Sequence, residues 1–241
     1  MTDLHTHILP GIDDGAKDVE TSLAMLRKER AQGVDNVVLT PHFYRDLERP
    51  REFLLRRAEA RETLDRAIAA LSEDERRALP RLSMGAEVAW VHGMADWSEL
   101  CDLCYEGTNY LLLEPPFHPW EDTFFHELYD LMNRGGVVPV IAHLDRYLGT
   151  QKSGALKQLF ELRLPTQLSA EPFLHFPARL SAFRCILKRQ AQLLISDCHD
   201  TVRRPPNLGA AMAVIRNRLG KAAEALFDET DELLLPIGWD D

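Results

Sequence analysis

The most constraining feature of the sequence is a regular alternation of short aliphatic runs with longer stretches whose apolar residues recur at helical spacing. The short runs are predicted as strands: residues 2–4, 36–40, 81–87, 110–114, 137–143, 165–169 and 192–196. The longer stretches are predicted as helices: residues 19–32, 52–71, 122–134, 155–162 and 178–190. Gly33 and Gly135 stand where two of these helices should end. This alternation predicts parallel strands joined by right-handed helical crossovers.

The length narrows the choice of α/β architecture. A chain of 241 residues has the length of one α/β barrel, so we expect a single domain over residues 1–241. Within it we expect a closed or nearly closed barrel of about seven strands, with an open, doubly wound parallel sheet as the alternative. The 45% of apolar and 27% of charged residues are ordinary for a globular protein with a sizeable core.

Composition excludes several classes of function. The net charge of −10 is opposite to that of most proteins that bind a phosphate backbone, so we expect no nucleic-acid partner. No apolar run approaches the ~20 residues that a spanning helix needs, and the first residues do not resemble a signal peptide. The 4 cysteines do not suggest a disulfide framework. We expect a cytoplasmic protein with no stable membrane insertion.

One cysteine pair has the C-x-x-C spacing that zinc and redox sites use. Cys101 and Cys104 lack a second pair at matching spacing, and they do not open a helix after a strand. Their surroundings favour the middle of a short helix, with Leu100, Leu103 and Cys104 on one face. We therefore interpret both as semi-buried thiols without a chemical role.

The residues that close the predicted strands carry the strongest functional signal. Six of the seven strand ends hold a histidine or a carboxylate, preceded by apolar residues: His5, His7, His42, Glu87, Glu114, His143, Asp197 and His199. In a parallel β/α barrel these ends meet at one mouth, where active sites are built. Each residue taken singly is more readily explained as a core or surface group. The pattern at successive strand ends favours a shared site.

The chemistry of this set points to a cluster of metal ions. Imidazole nitrogens and carboxylate oxygens without thiolates suit zinc, manganese or iron. His5 and His7, like Asp197 and His199, are two residues apart, so an extended chain points both to the same side. Eight or nine ligands exceed what one ion can use, which implies two or three ions and, with their spare positive charge, an anionic ligand such as phosphate. The remaining histidines are interpreted as ordinary surface or helix residues: His92, His118, His126 and His175.

The motifs together resemble the polymerase and histidinol phosphatase (PHP) superfamily. The similar segments are HTHILPGIDDG at 5–15, TPH at 40–42, GAEV at 85–88, LLE at 112–114, PVIAHLDRY at 139–147, SDCH at 196–199 and RPP at 204–206. They occur in order over nearly the whole chain. The first segment resembles the branch of bacterial manganese-dependent protein-tyrosine phosphatases encoded with capsule and exopolysaccharide genes, the CpsB/YwqE type.

The resemblance implies a distorted seven-stranded β/α barrel of the TIM-like PHP type, holding three divalent ions. Manganese is the expected metal, with iron or zinc as alternatives. The implied sets are His5, His7, Glu87 and Asp197 for the first ion; Glu87, Glu114 and His143 for the second; Asp14, His42 and His199 for the third. Spacing does not choose between Asp13 and Asp14, whereas the family pattern favours Asp14. Arg146 and Arg204 match arginines that bind the substrate phosphate, and a metal-bridging water would attack phosphorus.

Further residues near these motifs are candidates for roles in the same site. Aromatic residues that follow ligand positions would form an apolar rim for a tyrosine ring, although core packing explains them nearly as well: Phe43, Tyr44, Phe117, Trp120 and Tyr147. Ser169 stands where the family pattern has asparagine, a departure that affects rim contacts only. Residues from Cys198 to Arg204 satisfy C-x5-R, the signature of cysteine-dependent tyrosine phosphatases. This segment lacks glycine and contains Asp200, so we interpret the match as a coincidence.

The expected function is metal-dependent hydrolysis of phosphotyrosine in proteins. The expected substrate is the tyrosine-rich tail of a bacterial tyrosine kinase that controls capsule or exopolysaccharide synthesis, a partner that rests on the resemblance alone. The first alternative is a small-molecule phosphomonoesterase such as histidinol phosphatase, which should enclose its substrate with longer loops. The second is a metal-binding regulator without turnover, which the complete ligand set disfavours.

Overall fold

The computed structural model describes residues 1–220 and residue 227, so the end of the predicted domain lies outside the described residues. The strands of the described part are β1 Thr2–Thr6, β2 Asn36–Leu39, β3 His42–Phe43, β4 Arg81–Met84, β5 Glu87–Ala89, β6 Tyr110–Glu114, β7 Val138–Ile141, β8 Gln167–Ser169 and β9 Leu193–Ile195. The helices are α1 Val19–Ala31, α2 Pro50–Ala69, α3 Glu73–Arg77, α4 Asp122–Asn133, α5 Ser153–Glu161, α6 Glu171–Leu174, α7 Ala178–Leu187 and α8 Leu208–Leu219.

The strand predictions are confirmed in position, with one strand split and one missed. The run predicted over 81–87 forms two strands, β4 and β5, separated by Gly85 and Ala86. A Cβ at Gly85 would lie 2.9 Å from Tyr105 and 3.1 Å from Thr40, so only glycine allows this approach. The short strand β3 was not predicted, since Pro41 has no N–H to continue a ladder from β2.

The α/β class with parallel strands is confirmed, but the strand ladders form three sheets rather than one. All pairings are parallel, with orders β1-β2-β4, β3-β5-β6-β7 and β8-β9. Isolated bridges join Thr6 of β1 to Cys198, which follows β9, and Ile141 of β7 to Thr166, which precedes β8. The β1-β2-β4 sheet and the β3-β5-β6-β7 sheet therefore each lie beside the β8-β9 pair. The breaks in the ladders fall at 40–41 and 85–86, between strands that continue one another along the chain.

The helices begin and end where local chemistry favours it. Asp18 caps α1 by accepting a hydrogen bond from the Thr21 backbone N–H at 2.8 Å, and Gly33 follows the helix with φ of 83°. Ser72 and Glu75 form a reciprocal capping box at the start of α3. The helices α3, α6 and α8 were not predicted from the sequence. The first two are a single turn or little more, too short to show a periodic apolar pattern.

Two apolar clusters form the core. The larger one packs the helices against the outer faces of the sheets. The smaller one gathers buried side chains from strands of all three sheets together with Tyr105: Leu4, Val38, Leu112, Val140, Ala142, Leu193 and Ile195. The strands of the three sheets therefore share one interior, with the helices outside it.

The predicted short helix of the C-x-x-C pair is a 3₁₀ helix, Leu100–Leu103, which contains Cys101 and ends directly before Cys104. The expectation that both thiols are semi-buried is wrong for Cys101. Cys104 is buried with Leu100 and Leu103, whereas Cys101 is exposed, so only one thiol of the pair is inside the protein. Both are free thiols. None of the helices in the described part is long and apolar enough to cross a membrane.

Candidate metal centre

The nine predicted metal ligands lie together at the carboxyl ends of the strands. They come from β1, β3, β5, β6 and the segments after β1, β7 and β9: His5, His7, Asp14, His42, Glu87, Glu114, His143, Asp197 and His199. Eight of them are half-buried or buried, and only Asp14 is exposed. Parallel strands place their carboxyl ends at one edge, so residues far apart in sequence share this site.

The first implied ion would lie between two carboxylates and two histidines, His5 of β1 and His7 directly after it. His5 Nε2 lies 3.2 Å from His7 Nε2 and 3.2 Å from Glu87 Oε2. Asp197 Oδ1 lies 3.8 Å from His5 Nε2 and 3.5 Å from His7 Nε2. Two ligands at ~2.1 Å from an ion in tetrahedral or octahedral geometry lie roughly 3–3.5 Å apart. Three of the four separations fall in this range, and the 3.8 Å between Asp197 Oδ1 and His5 Nε2 lies just outside it.

The second implied set shares Glu87 with the first. His143 Nε2 lies 2.7 Å from Glu87 Oε1 and 3.6 Å from Glu114 Oε1. His42 Nδ1 lies 2.8 Å from Glu87 Oε2, and ligand atoms of His42, Glu87 and Glu114 all fall within 4.8 Å of one another. Glu87 therefore presents one oxygen to each of two neighbouring sets, the arrangement expected of a bridging carboxylate.

The third implied set lies at the mouth of the site. Asp14 Oδ1 is 3.5 Å from His42 Nε2 and 3.3 Å from His199 Nε2. His7 also has a ligand atom within 4.8 Å of this group. The structure therefore places Asp14, and not Asp13, among the candidate ligands of this set.

Unpaired polar atoms test whether these residues suit metal ions. Among the described residues, four buried atoms of the site make no hydrogen bond of acceptable geometry: His42 Nδ1, Glu87 Oε2, His143 Nδ1 and His199 Nε2. The first two lie 2.8 Å apart, and His199 Nε2 lies 3.3 Å from Asp14 Oδ1, as ion-pair contacts. A buried polar atom without a partner costs about 1–3 kcal/mol. Divalent cations would satisfy the Glu87 and His199 atoms directly. The donor set, its spacing and these unpaired atoms all fit a metal cluster.

Without a metal, opposite charges hold the site together. Burial raises the pKa of Asp197, but neighbouring His7, His5 and Arg146 lower it further, so the pKa of Asp197 lies well below its usual range. Burial lowers the pKa of His7, but hydrogen bonds to Asp13 and Asp197 leave it well above the usual value. Burial and the nearby His7 lower the pKa of His199 to about 3. A divalent cation would therefore replace the proton on His7.

His5 and His7 are oriented by Gln167, which no sequence pattern indicated, and by Asp13, which spacing alone allowed as a metal ligand. His7 Nδ1 lies 2.8 Å from Asp13 Oδ2, and His5 Nδ1 lies 2.9 Å from Gln167 Oε1. In turn Gln167 Nε2 donates to the Tyr105 hydroxyl at 3.1 Å. Such partners fix the ring so that Nε2 faces the ion. No sequence motif reveals Gln167, because it lies 162 residues from His5 along the chain.

The backbone is strained at two of the candidate ligands. His143 has φ of 28° and Asp197 has φ of 53°, a region that residues other than glycine rarely adopt. Asp197 is held there by hydrogen bonds in which its N–H donates to His5 O at 3.0 Å and His7 N–H donates to Cys198 O at 2.9 Å. Strain of this kind costs about 1–3 kcal/mol and persists where the surroundings impose it, as at functional sites.

Both predicted arginines lie beside the ligand cluster. Arg146 Nη2 and Arg204 Nη2 donate to the same oxygen, Asp197 Oδ2, the Arg204 contact being 2.7 Å. Both arginines also line a cavity of about 220 Å³. Two guanidinium groups that converge at the edge of a metal cluster can take the oxygens of a phosphate group in paired hydrogen bonds.

The alternative chemistry of the C-x5-R segment is not supported by the surroundings of its cysteine. Cys198 is fully buried, and its Sγ donates to Glu29 Oε1 at 3.4 Å. Burial and the neighbouring carboxyl of Glu29 raise the pKa of the Cys198 thiol well above its usual value. A nucleophilic cysteine needs the opposite shift and access to the substrate.

The five aromatic residues of the predicted rim divide into core and surface. Phe43, Trp120 and Tyr147 are buried in the core, whereas Phe117 is 60% exposed. Phe117 stacks on Tyr147 with ring centroids 5.4 Å apart, and Tyr147 stacks on His143 at 5.9 Å. The half-buried Tyr44 stacks on His42 at 5.2 Å. Only Phe117 and Tyr44 can therefore offer an aromatic face at the mouth.

The four histidines predicted to be ordinary lie outside the ligand groups. His92 lies 3.2 Å from Glu127, and His175 lies 2.7 Å from Glu171. His118 and His126 are exposed. The sequence separated these four from the strand-end histidines correctly.

Comparison with known proteins finds relatives that match the chain over nearly its full length. Tyrosine-protein phosphatase YwqE of Bacillus subtilis is 28% identical, covering 98% of this chain and 91% of its own. Tyrosine-protein phosphatase CpsB of Streptococcus agalactiae serotype V is 26% identical, covering 98% of both chains. CpsB of Streptococcus pneumoniae is also 26% identical with the same coverage.

A solved structure shares the fold. It belongs to work on YwqE from Bacillus subtilis and CpsB from Streptococcus pneumoniae, described there as unique metal-dependent tyrosine phosphatases. The TM-score is 0.82 at 24% sequence identity, over 98% of this chain and 94% of that one. A family model described as capsular polysaccharide synthesis, CpsB/CapC, matches residues 1–235. With the match spanning nearly the whole chain, this protein belongs to the CpsB/CapC family.

Proposed function

We propose that this protein is a metal-dependent phosphotyrosine-protein phosphatase. The observation that carries the proposal is the meeting of three ligand groups, joined through Glu87 and His42, with the arginine pair Arg146 and Arg204 at their edge. Metal clusters flanked by arginines suit the transfer of a phosphoryl group, whose charge must be neutralised. The tyrosine phosphatase names of full-length relatives support the choice of substrate.

The cluster is proposed to hold three divalent ions, manganese in the first place, with iron or zinc as alternatives. The sets are those that the family resemblance implies, sharing Glu87 between the first and second ions. Divalent ions so placed would supply Lewis acidity and a nucleophilic water near neutral pH. Asp13 and Gln167 hold the histidine rings in the orientation that such ions require.

The arginines and the aromatic mouth account for substrate binding. Arg146 and Arg204 can turn from Asp197 to the phosphate, because both side chains are part-exposed and lie at the cavity. Phe117 presents its free face toward solvent and would pack against the tyrosine ring. A phenolate leaving group has a pKa near ~10 and needs little protonation. No separate general acid is therefore required of the chain.

The finer architecture and biological setting are part of the same proposal. Seven extended segments are proposed to enclose one distorted barrel in a single domain over 1–241. The shared apolar interior and the two isolated bridges support this arrangement. The proposed substrate is the tyrosine-rich tail of a bacterial tyrosine kinase in the cytoplasm. The family description of capsular polysaccharide synthesis supports that pathway.

The test is phosphate release from a phosphotyrosyl peptide and from histidinol phosphate. Protein stripped by a chelator should be inactive on the peptide and should recover when Mn²⁺ is restored. His42→Ala should lower peptide turnover at least ~100-fold, because it removes a candidate ligand shared by two groups. Cys198→Ser should keep turnover within about threefold, since serine can still donate to Glu29.

Three outcomes would contradict the proposal in different ways. Turnover of histidinol phosphate alone would keep the site and move the function to metabolism. Binding of Mn²⁺ without turnover of either substrate would indicate a regulator. Activity that resists the chelator and is lost in Cys198→Ser would assign the chemistry to the cysteine.

A further inference from the structure

A cavity beside the arginine pair has features that the proposed reaction does not use. Its volume is about 220 Å³, room for one side chain of a bound peptide or several water molecules. It is formed by the segments that follow β7, β8 and β9, and its principal lining residues are Asp145, Arg146, Ser169, Glu171, Arg204 and Asn207. A phosphate held by Arg146 and Arg204 would therefore lie at the edge of this cavity.

Two polar side chains of the lining are buried without a partner. The Ser169 side chain, in a residue 6% exposed, has no hydrogen bond at Oγ, and Asn207, 7% exposed, has none at Oδ1. Asn207 Nδ2 donates to Glu171 Oε2 at 3.2 Å, which fixes the amide orientation. Oδ1 of Asn207 is therefore a hydrogen-bond acceptor without a donor.

The charges of the lining point to the same kind of ligand. Asp145 and Glu171 place carboxylates in the wall. Oδ1 of Asp145 accepts from the Ser169 N–H at 2.8 Å, Oε2 of Glu171 accepts from Asn207 Nδ2, and Oε1 of Glu171 lies 2.7 Å from Nε2 of the exposed His175. The cations of the lining have carboxylate partners: Arg146 and Arg204 donate to Asp197, and Arg203, whose side chain is 91% exposed, lies 3.8 Å from Asp200. The groups left for a ligand are mainly acceptors, so the cavity favours a positively charged donor.

We propose that this cavity binds a lysine or arginine side chain of the substrate protein, within three residues of the phosphotyrosine. The proposal rests on the proposed phosphatase function, which places the phosphate at Arg146 and Arg204. Successive residues of an extended peptide are about 3.3–3.6 Å apart, so a flanking side chain can reach the cavity while the phosphate stays at the arginines. The cation would donate to Asn207 Oδ1 and pair with Glu171.

The test measures kcat/KM on the Mn²⁺-loaded protein with a matched series of phosphotyrosyl peptides. Each peptide carries lysine, alanine or glutamate at one position from −3 to +3, and is otherwise identical. At one position or more, lysine should raise kcat/KM about tenfold over alanine, and glutamate should lower it. A ratio near one at every position would overturn the proposal.

Two variants assign the preference to the cavity. Glu171→Gln removes a wall charge and should reduce the lysine-to-alanine ratio at least threefold. Asn207→Asp adds a carboxylate at the unpaired acceptor and should raise the ratio, and aspartate is a favoured residue at the N-cap position, which Asn207 occupies directly before α8. Glu161→Gln on α5, which removes an equal charge outside the cavity, is the control.

The outcomes separate this proposal from the proposed function. Turnover of all peptides at equal rates would overturn the cavity assignment and leave the phosphatase intact. A lysine-to-alanine ratio that Glu171→Gln does not reduce and Asn207→Asp does not raise would place the recognising groups elsewhere and also overturn it. No turnover of any phosphotyrosyl peptide with Mn²⁺ restored would overturn both proposals together.

Discussion

At the scale of single residues, the site consists of the candidate metal ligands and of a second layer of groups that orient them. Three of the five candidate-ligand histidines have their second ring nitrogen held: His7 by Asp13, His5 by Gln167, and His199 by the backbone carbonyl of Asp197 at 3.0 Å. These contacts leave Nε2 of each ring facing the cluster. These contacts set the orientation of the three rings independently of metal binding.

Asp13 provides a direct test of this second layer. It also accepts the N–H of Gly15 at 2.9 Å and of His42 at 3.0 Å, so its charge stabilises several donors. Asp13→Asn keeps the shape and removes the charge, and we expect Mn²⁺ affinity to fall about 10–100-fold, as for other such partners. Isothermal titration calorimetry, with Mn²⁺ added to the chelator-treated protein, measures this affinity.

The matched control for that variant is Asp46→Asn, which removes an exposed carboxylate. Its Mn²⁺ affinity should equal that of the original protein. Equal affinities in all three proteins would mean that Asp13 does not orient His7 for a metal.

At the scale of elements, the loop between β1 and α1 folds back on a candidate ligand. Ala16 N–H donates to the His7 carbonyl at 2.9 Å, and Asp13 and Asp14 lie within this loop. A Cβ at Gly15 would lie 2.1 Å from His7 O and 2.5 Å from His7 Cβ. Glycine is therefore required for the loop to carry Asp14 to the cluster.

Gly15→Ala should displace the loop and weaken the third metal set first. We expect turnover of the phosphotyrosyl peptide to fall at least tenfold. We also expect the protein to bind less Mn²⁺ at a given Mn²⁺ concentration. Metal content and phosphate release measure the two effects. Gly154→Ala, where a Cβ meets nothing within 4 Å, should leave both readings unchanged. Full activity in Gly15→Ala would show that the loop can shift without cost.

Helix α1 places a carboxyl group under the strands that carry the site. Glu29 is fully buried and accepts from Ser196 Oγ and Cys198 Sγ, each at 3.4 Å, while its Oε2 has no partner. Burial and the neighbouring carboxyl of Asp3 raise the pKa of Glu29 well above its usual value. The folded protein therefore keeps a proton that the unfolded chain releases above its pKa of about 4.5.

This proton makes the stability of the protein depend on pH in a defined direction. Because the folded state binds more protons, the free energy of unfolding falls as pH rises from about 4.5 through the raised pKa of Glu29. Glu29→Gln cannot titrate, and should be more stable than the original by about 1 kcal/mol at pH 9. Thermal unfolding from pH 6 to 9 measures the difference.

The control is Glu59→Gln, an exposed position on α2, which should leave the pH profile of the unfolding temperature unchanged. A Glu29→Gln variant with the same pH slope as the original protein would show that Glu29 is already ionised in the folded state.

At the scale of the whole molecule, the cluster joins strands from all three sheets. Its ligands come from β1, β3, β5, β6 and the segments after β7 and β9, so bound ions would tie these elements together. Metal binding to the folded state alone raises its stability, by ~2.7 kcal/mol at one hundred times the dissociation constant.

Removal of metal should therefore lower the unfolding temperature as well as the activity. For a chain of this size, ~2.7 kcal/mol corresponds to roughly 5–10 °C. Differential scanning calorimetry with a chelator and then with excess Mn²⁺ measures the shift. Glu87→Gln, which alters the carboxylate shared by two sets, should lose most of it. An equal shift in Glu87→Gln would mean that the ions bind outside this cluster.

The sequence alone determined the α/β class and pointed to eight of the nine candidate ligands. Both follow from local patterns: short aliphatic runs predict strands, and a polar residue at the end of each run stands out against its apolar neighbours. The prediction for β6 matches the observed strand, Tyr110–Glu114, because the aliphatic run and the following prolines define it locally. The choice of Asp14 over Asp13 needed the family pattern, since spacing alone allowed both.

Only the tertiary structure decided how these pieces meet. Asp13 and Gln167 orient the histidines through contacts across loops and sheets, and the cavity at Asn207 forms from three segments distant in the chain. The division of the strands into three sheets depends on Pro41 and on the packing at Gly85, which local periodicity does not report. Patterns along a chain record burial and backbone preference. Distances between remote side chains arise only when the whole chain packs.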